Sequence, residues 1–331
     1  MSDTVMLSRD ELVIYLNQQT GDVFLDYPLT DQQIASLYPE GKQYSIELHD
    51  VDIFDGSESD YWTREMPHPN DYMQCFLASG LTQYKNSEEF RETVESYSHI
   101  QGVLYAPDTN LYYNRFLSNS SLDPDQFLVV DSVHKEINHV LNRKYSPREI
   151  SMIKQHVRYQ RNLLNEWGNR RQKQSRKAYN LALAEYQYYK DHCYAIIKTG
   201  ELGHDKEAND AKFVEAVAQY KQNTGVYPII LTCDQLLTDL CDSHNLQSFL
   251  LKYPEQINPT TCTPGQLHDL ICSLAGVLGL VKVNETIIYG EYRGKTSPDK
   301  FKLKYLSGEI SNSLERDLEI CRGLDKLDIR F

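Results

Sequence analysis

Four short runs of almost uninterrupted apolar residues constrain this chain most: 102–108 (GVLYAPD), 127–131 (FLVVD), 193–199 (CYAIIKT) and 227–234 (YPIILTCD). A strand with one wet face alternates apolar and polar side chains, whereas a parallel strand covered by helices on both faces loses that alternation. Helical patterns separate the runs, and strand, helix, strand in sequence implies right-handed crossovers. The expected fold class is therefore α/β, with a doubly wound α/β/α core and a parallel sheet over residues 101–248.

The flanks read differently. In residues 1–100, Leu12-Val13-Ile14-Tyr15-Leu16, Val23-Phe24-Leu25 and Tyr44-Ser45-Ile46-Glu47-Leu48 alternate in the strand manner. A long loop is expected over 54–72, rich in acids and turn formers, followed by helices over 72–80 and 87–98, the second opening at Asn86. In residues 249–331, Thr263-Pro264-Gly265-Gln266 is a capping box with proline at the first helical position. A helix to about 279, a strand pair at 285–289 and 301–305, and a helix near 310–322 complete a second small α+β region.

The crossover between the second and third apolar runs, about 145–192, is unusually long. Residues 143–177 contain eleven basic residues against two acids, Glu149 and Glu166, in a chain whose net charge is −13. Ile150, Ile153, Val157, Leu164 and Trp167 form one helical stripe, and Lys154, Arg158 and Arg161 another. Arg170, Lys173 and Lys177 follow at helical spacing, with Arg171 beside them and a Tyr-rich stretch from Tyr179 beyond. A basic helical hairpin projecting from the core is expected, suited to phosphates, with tyrosines able to stack on unpaired bases. The acidic stretch 50–60 is complementary to it in charge and could cover it.

Composition narrows the function classes. No apolar run approaches the roughly 18 to 20 residues that a membrane span requires, and the N-terminus lacks a basic segment followed by an apolar one. The seven cysteines are scattered, without a C-x-x-C pair, and the ten histidines are equally dispersed. Reduced thiols in a cytoplasmic protein are expected, with any metal held by oxygen.

Four acids fall where a doubly wound sheet places its crevice, at the carboxyl ends of the strands. Asp108 ends the first run, Glu136 lies in the helix after the second, Asp210 near the start of the helix after the third, and Asp234 ends the fourth. Each alone is better read as a helix cap. Together they would repel unless a cation neutralised them, and oxygen-only ligation suits Mg²⁺ or Mn²⁺. Asp205 competes with Asp210, and Asp239 or Asp242 could add an outer carboxylate.

In this order and spacing the motifs resemble those of PIN domain nucleases. Pro107-Asp108-Thr109-Asn110 resembles the family's opening motif, and 127–137 (FLVVDSVHKEI) the second, with Asp131 where the family usually has proline. Residues 207–213 (EANDAKF) resemble the third motif, and Ile230-Leu231-Thr232-Cys233-Asp234 the fourth. The resemblance spans about 145 residues and implies metal-dependent endonucleolytic hydrolysis, with RNA as the expected substrate and 5′-phosphate and 3′-hydroxyl products. It implies that Asp108 and Asp234 are the principal ligands, that Glu136 and Asp210 complete the site, and that Asn110 and Thr232 orient these groups or a phosphate. Lys154, Arg158, Arg161, Arg170, Arg171, Lys173 and Lys177 are the expected nucleic-acid contacts. A non-catalytic PIN-like scaffold for RNA or protein, and a DNA-directed nuclease, are the competing readings; a regulatory protein or a second copy is a further expected partner. Neither a G-x-x-x-x-G-K-[ST] loop nor a G-x-S-x-G elbow is present.

Overall fold

The structure is a computed structural model that describes residues 3–49, 61–203, 205–290, 300–306 and 310–327. Its strands are β1 (Thr4–Ser8), β2 (Val23–Tyr27), β3 (Gln32–Glu40), β4 (Gln43–Leu48), β5 (Val103–Pro107), β6 (Leu128–Val130), β7 (Ala195–Ile197), β8 (Tyr227–Thr232), β9 (Gln247–Leu250), β10 (Thr261–Cys262), β11 (Leu280–Val283), β12 (Thr286–Tyr289) and β13 (Lys300–Tyr305). The chain divides into two compact units. One gathers Met1–Cys75, Lys144–Arg176 and Asn258–Phe331, the other Phe76–Arg143 and Lys177–Ile257.

The first unit is built on one antiparallel sheet in the order β1-β13-β12-β11-β2-β3-β4-β10. The two terminal regions expected to be separate α+β elements thus share a sheet: β11 pairs with β2, Val283 opposite Leu25, and β1 with β13, Val5 opposite Leu303. The few strands on either flank would leave an apolar face uncovered, and their union buries Leu25, Leu37, Val281, Ile288 and Leu303. The helix Pro264–Leu278 opens at the expected box, Gln266 N–H donating to Thr263 Oγ1 at 3.2 Å, and is buried without a break from Leu270 to Leu278.

One strand expectation fails. Leu12–Asn17 is a helix, entered through a turn that Ser8 and Glu11 close reciprocally: Glu11 N–H donates to Ser8 Oγ at 3.1 Å and Ser8 N–H to Glu11 Oε2 at 2.7 Å. Its Leu12 and Tyr15 are buried three residues apart, a helical period that the alternating pattern concealed. The expected loop over 54–72 is helical at Tyr61–Glu65 and from Pro69 onward, while 50–60 lie outside the described residues, as does any cover they would provide.

The basic segment is not a projecting hairpin. Lys144–Arg176 belongs to the first unit, and the apolar stripe Ile150, Ile153, Val157, Leu164 and Trp167 is buried there. The helix Pro147–His156 stops at Val157, Gln160 and Asn169 adopt left-handed backbone, and Arg161–Trp167 is a 3₁₀ turn between them. Lys173 is buried, with its Nζ donating to Asp71 Oδ2 at 2.8 Å and to the Met66 carbonyl at 2.5 Å. Arg176 donates to the Val277 and Leu278 carbonyls, each at 3.2 Å, and stacks 4.6 Å from the Trp167 ring. It thereby satisfies the carbonyls left over at the end of the helix Pro264–Leu278, where a cation is electrostatically favoured. Gly279 ends that helix at φ 87°, and a Cβ there would come within 2.9 Å of the Arg176 guanidinium carbon.

The second unit is parallel. β5, β8 and β9 form one sheet and β6 and β7 another, and the bridge Tyr105 to Phe127 sets β6 beside β5. The resulting order is β7-β6-β5-β8-β9, with the direction of winding reversed between β5 and β8. All four apolar runs are strands here, and β9 was not expected. The long crossover after β6 is explained by its passage through the first unit, from Lys144 to Arg176, before the chain returns to the second at Lys177. Tyr179, Tyr186 and Tyr189 are buried, which leaves Tyr188 as the exposed member of the set once expected to stack on bases.

Candidate active site

Asp108 follows β5 where that strand's pairing with β8 ends, its N–H donating to the Leu231 carbonyl at 2.8 Å. As the cap of the helix Thr109–Tyr113 its Oδ1 accepts from Thr109 N–H at 2.6 Å. Its Oδ2 accepts from Thr232 Oγ1 and from Asn110 Nδ2, each at 3.2 Å. Thr232, fully buried at the end of β8, also accepts Asp234 N–H at 2.9 Å, so one hydroxyl orients two of the acids. Asp234 caps the helix Gln235–Ser243 through Leu236 N–H at 3.0 Å. The two aspartates follow β5 and β8, the strands between which the strand order reverses, where a parallel sheet can open a crevice.

Glu136, in the helix Asp131–Val140, accepts from Thr109 Oγ1 at 2.7 Å. Asp210 lies one turn into the helix Lys206–Thr224, whereas Asp205 caps that helix through Glu207 N–H at 3.2 Å. Asp210 therefore joins the cluster and Asp205 serves the backbone. Asp239 and Asp242 are exposed on the helix Gln235–Ser243.

The four acids sense one another. Burial raises Asp108, pushes Glu136 up to about 7 with further repulsion from Asp108 and Asp210, and pushes Asp210 up to about 6 with repulsion from Asp108 and Asp234. Asp234 is held below the usual range by the Lys206 ammonium, which it binds at 2.9 Å. Lys206 also approaches Asp210 at 4.0 Å, and bonding to Asp234 raises its own pKa. Among the described residues no three His, Cys, Asp or Glu side chains are gathered closely enough to hold a metal ion as they stand. The cation within the cluster is Lys206. By type the donors are hard carboxylate oxygens, the chemistry that Mg²⁺ or Mn²⁺ takes, but they do not stand at coordinating spacing.

Lys206 and Thr109 were not singled out from the sequence. The i, i+4 spacing of Lys206 and Asp210, and the threonine directly after Asp108, were the available signals. Asp131, standing where the resembled motif has proline, accepts Thr199 N–H and Oγ1 at 2.8 Å each and Lys135 Nζ at 3.1 Å, tying the end of β6 to the end of β7. Behind the cluster, Asn114 Nδ2 donates to Tyr84 and Tyr253 hydroxyls at 2.7 and 2.9 Å, and burial pushes the Cys233 thiol up to about 12.

Of the expected nucleic-acid contacts, Arg158 and Arg161 are exposed, and Lys154, Arg170, Arg171 and Lys177 are half-buried. Lys154 is hydrogen-bonded to Asn165, and Arg170 Nε donates to the Glu166 carbonyl at 3.4 Å. Lys173 is withdrawn from any such role by its burial against Asp71.

Fold and site together define a mixed α/β chain with acids grouped beyond the carboxyl ends of parallel strands. No helix among the described residues is long and apolar enough to cross a membrane. No protein-family model matches the chain, and no curated protein is recognisably similar to it.

Proposed function

We propose that this chain is a metal-dependent endonuclease with a doubly wound, PIN-like core, hydrolysing phosphodiester bonds of RNA in the cytoplasm. The observation that carries this reading is that Asp108, Glu136, Asp210 and Asp234, from four separate segments after parallel strands, lie near enough for their charges to repel one another. Four carboxylates crowded together cost stability unless a cation offsets their repulsion, so their convergence asks for a function. Asp108 and Asp234 would be the principal ligands of Mg²⁺ or Mn²⁺, with Glu136 and Asp210 completing the set directly or through water. Such an ion lowers the pKa of bound water and stabilises charge on phosphoryl oxygens. Thr232, Asn110 and Thr109 hold the carboxylates in place through the hydrogen bonds described above.

A second reading, a non-catalytic scaffold for RNA or protein, is favoured by the ion pair of Lys206 with Asp234, which already neutralises part of the cluster. Cleavage of labelled single-stranded RNA and DNA with Mg²⁺, Mn²⁺ or EDTA separates the two. The native chain is expected to cut RNA only with metal, and Asp108→Asn to lower the rate by about a hundredfold or more. Folded native protein that binds RNA without cutting either polymer supports the scaffold. Cutting confined to DNA reassigns the substrate.

A further inference from the structure

Lys206 is an odd choice for its place. It is the first residue of the helix Lys206–Thr224, the end at which the helix dipole disfavours a cation and favours an anion. The local backbone gives the ammonium no reason to be there, and the acids do. Its ammonium bonds Asp234 at 2.9 Å and approaches Asp210 at 4.0 Å, so two of the four carboxylates lie against this cation. The side chain is nevertheless 73% exposed. A flexible four-carbon stem in solvent with one short bond can leave at little cost, because an exposed ion pair is weak.

Resting on the metal-dependent reading above, we infer that Lys206 is a displaceable internal counter-ion that holds Asp234 and Asp210 together until a divalent cation takes its place. An ammonium and a divalent ion cannot occupy one set of oxygens, since their repulsion at a few ångströms outweighs an exposed lysine's single bond. Lys206 is thus a positioning residue that acts through the carboxylates, and metal binding includes its release. Removing its charge removes a competitor.

The test is Mn²⁺ binding to the full chain, followed by the electron paramagnetic resonance of free Mn²⁺, for native protein, Lys206→Met, Lys206→Gln and Lys206→Arg. The two neutral variants are expected to bind Mn²⁺ about three- to tenfold more tightly, and the arginine variant to stay near native affinity. A merely structural lysine would give weaker binding on removal. Native binding with unchanged or weaker affinity in both neutral variants overturns the inference alone, as does tightening by arginine equal to that by methionine. Absence of Mn²⁺ binding in native and neutral variants alike overturns the metal-dependent reading and the inference with it.

Discussion

Thr232 shows how much of this site depends on a single uncharged side chain. Its hydroxyl donates to Asp108 and accepts from the Asp234 backbone while its methyl group is enclosed at the end of β8. Replacing it with valine keeps the shape and removes both bonds, leaving a half-buried carboxylate and an N–H short of a partner. Thr232→Val is expected to cost about 1–3 kcal/mol, read as a lower urea midpoint with unchanged slope, and to reduce metal-dependent cutting more than binding. An unchanged midpoint would show that water replaces the hydroxyl. Lys173 and Arg176 make the opposite point: both belong to the most basic stretch of the chain, and both are spent on internal acceptors.

At the scale of elements, the helix Pro264–Leu278 is tied to the chain's start through His268. Its Nε2 lies 2.8 Å from the Arg9 carbonyl and its Nδ1 3.2 Å from Asp269 Oδ1, contacts that both ring nitrogens meet as donors only when the imidazole is protonated. Against the pull of burial, Asp269, the nearby Cys272 and the Arg9 carbonyl raise its pKa to about 10. A histidine raised in the folded state stabilises fully below its unfolded pKa, about 6.5, and loses that contribution as pH climbs through the folded value. The melting temperature is therefore expected to fall by several degrees between about pH 6.5 and 10, and His268→Gln to flatten the decline. Equal slopes in the two proteins would remove His268 as the cause.

For the whole molecule, the division into units changes what a truncation means. A fragment of residues 101–248 carries the segment Lys144–Arg176 without the strands and helices that bury Ile153, Leu164, Trp167 and Arg176. It is expected to aggregate, or to show exposed apolar surface by dye binding, whereas the full chain does not. Deleting residues 1–100 likewise strips β1–β4 and leaves β11 with an open edge, so lost activity in that deletion reports unfolding of the sheet. A well-folded 101–248 fragment, judged by a cooperative melt, would contradict the division.

The sequence by itself determined the parallel unit and the acids at its strand ends. Both follow from local facts: uninterrupted apolar runs have few solutions other than covered strands, and an acid directly after such a run stands at the sheet's carboxyl edge. It also carried the Ser8 and Glu11 turn, which the neighbouring alternation obscured. Tertiary structure alone decided that residues far apart in the chain share one sheet, β11 against β2 and β1 against β13, because short strands carry no mark of their partners. It alone chose Asp210 over Asp205, since both suit a helix start and only the helix's direction separates cap from cluster. And it turned part of a basic run inward, because an arginine's charge is the same in sequence whether it meets water, a phosphate or the open carbonyls of a helix end.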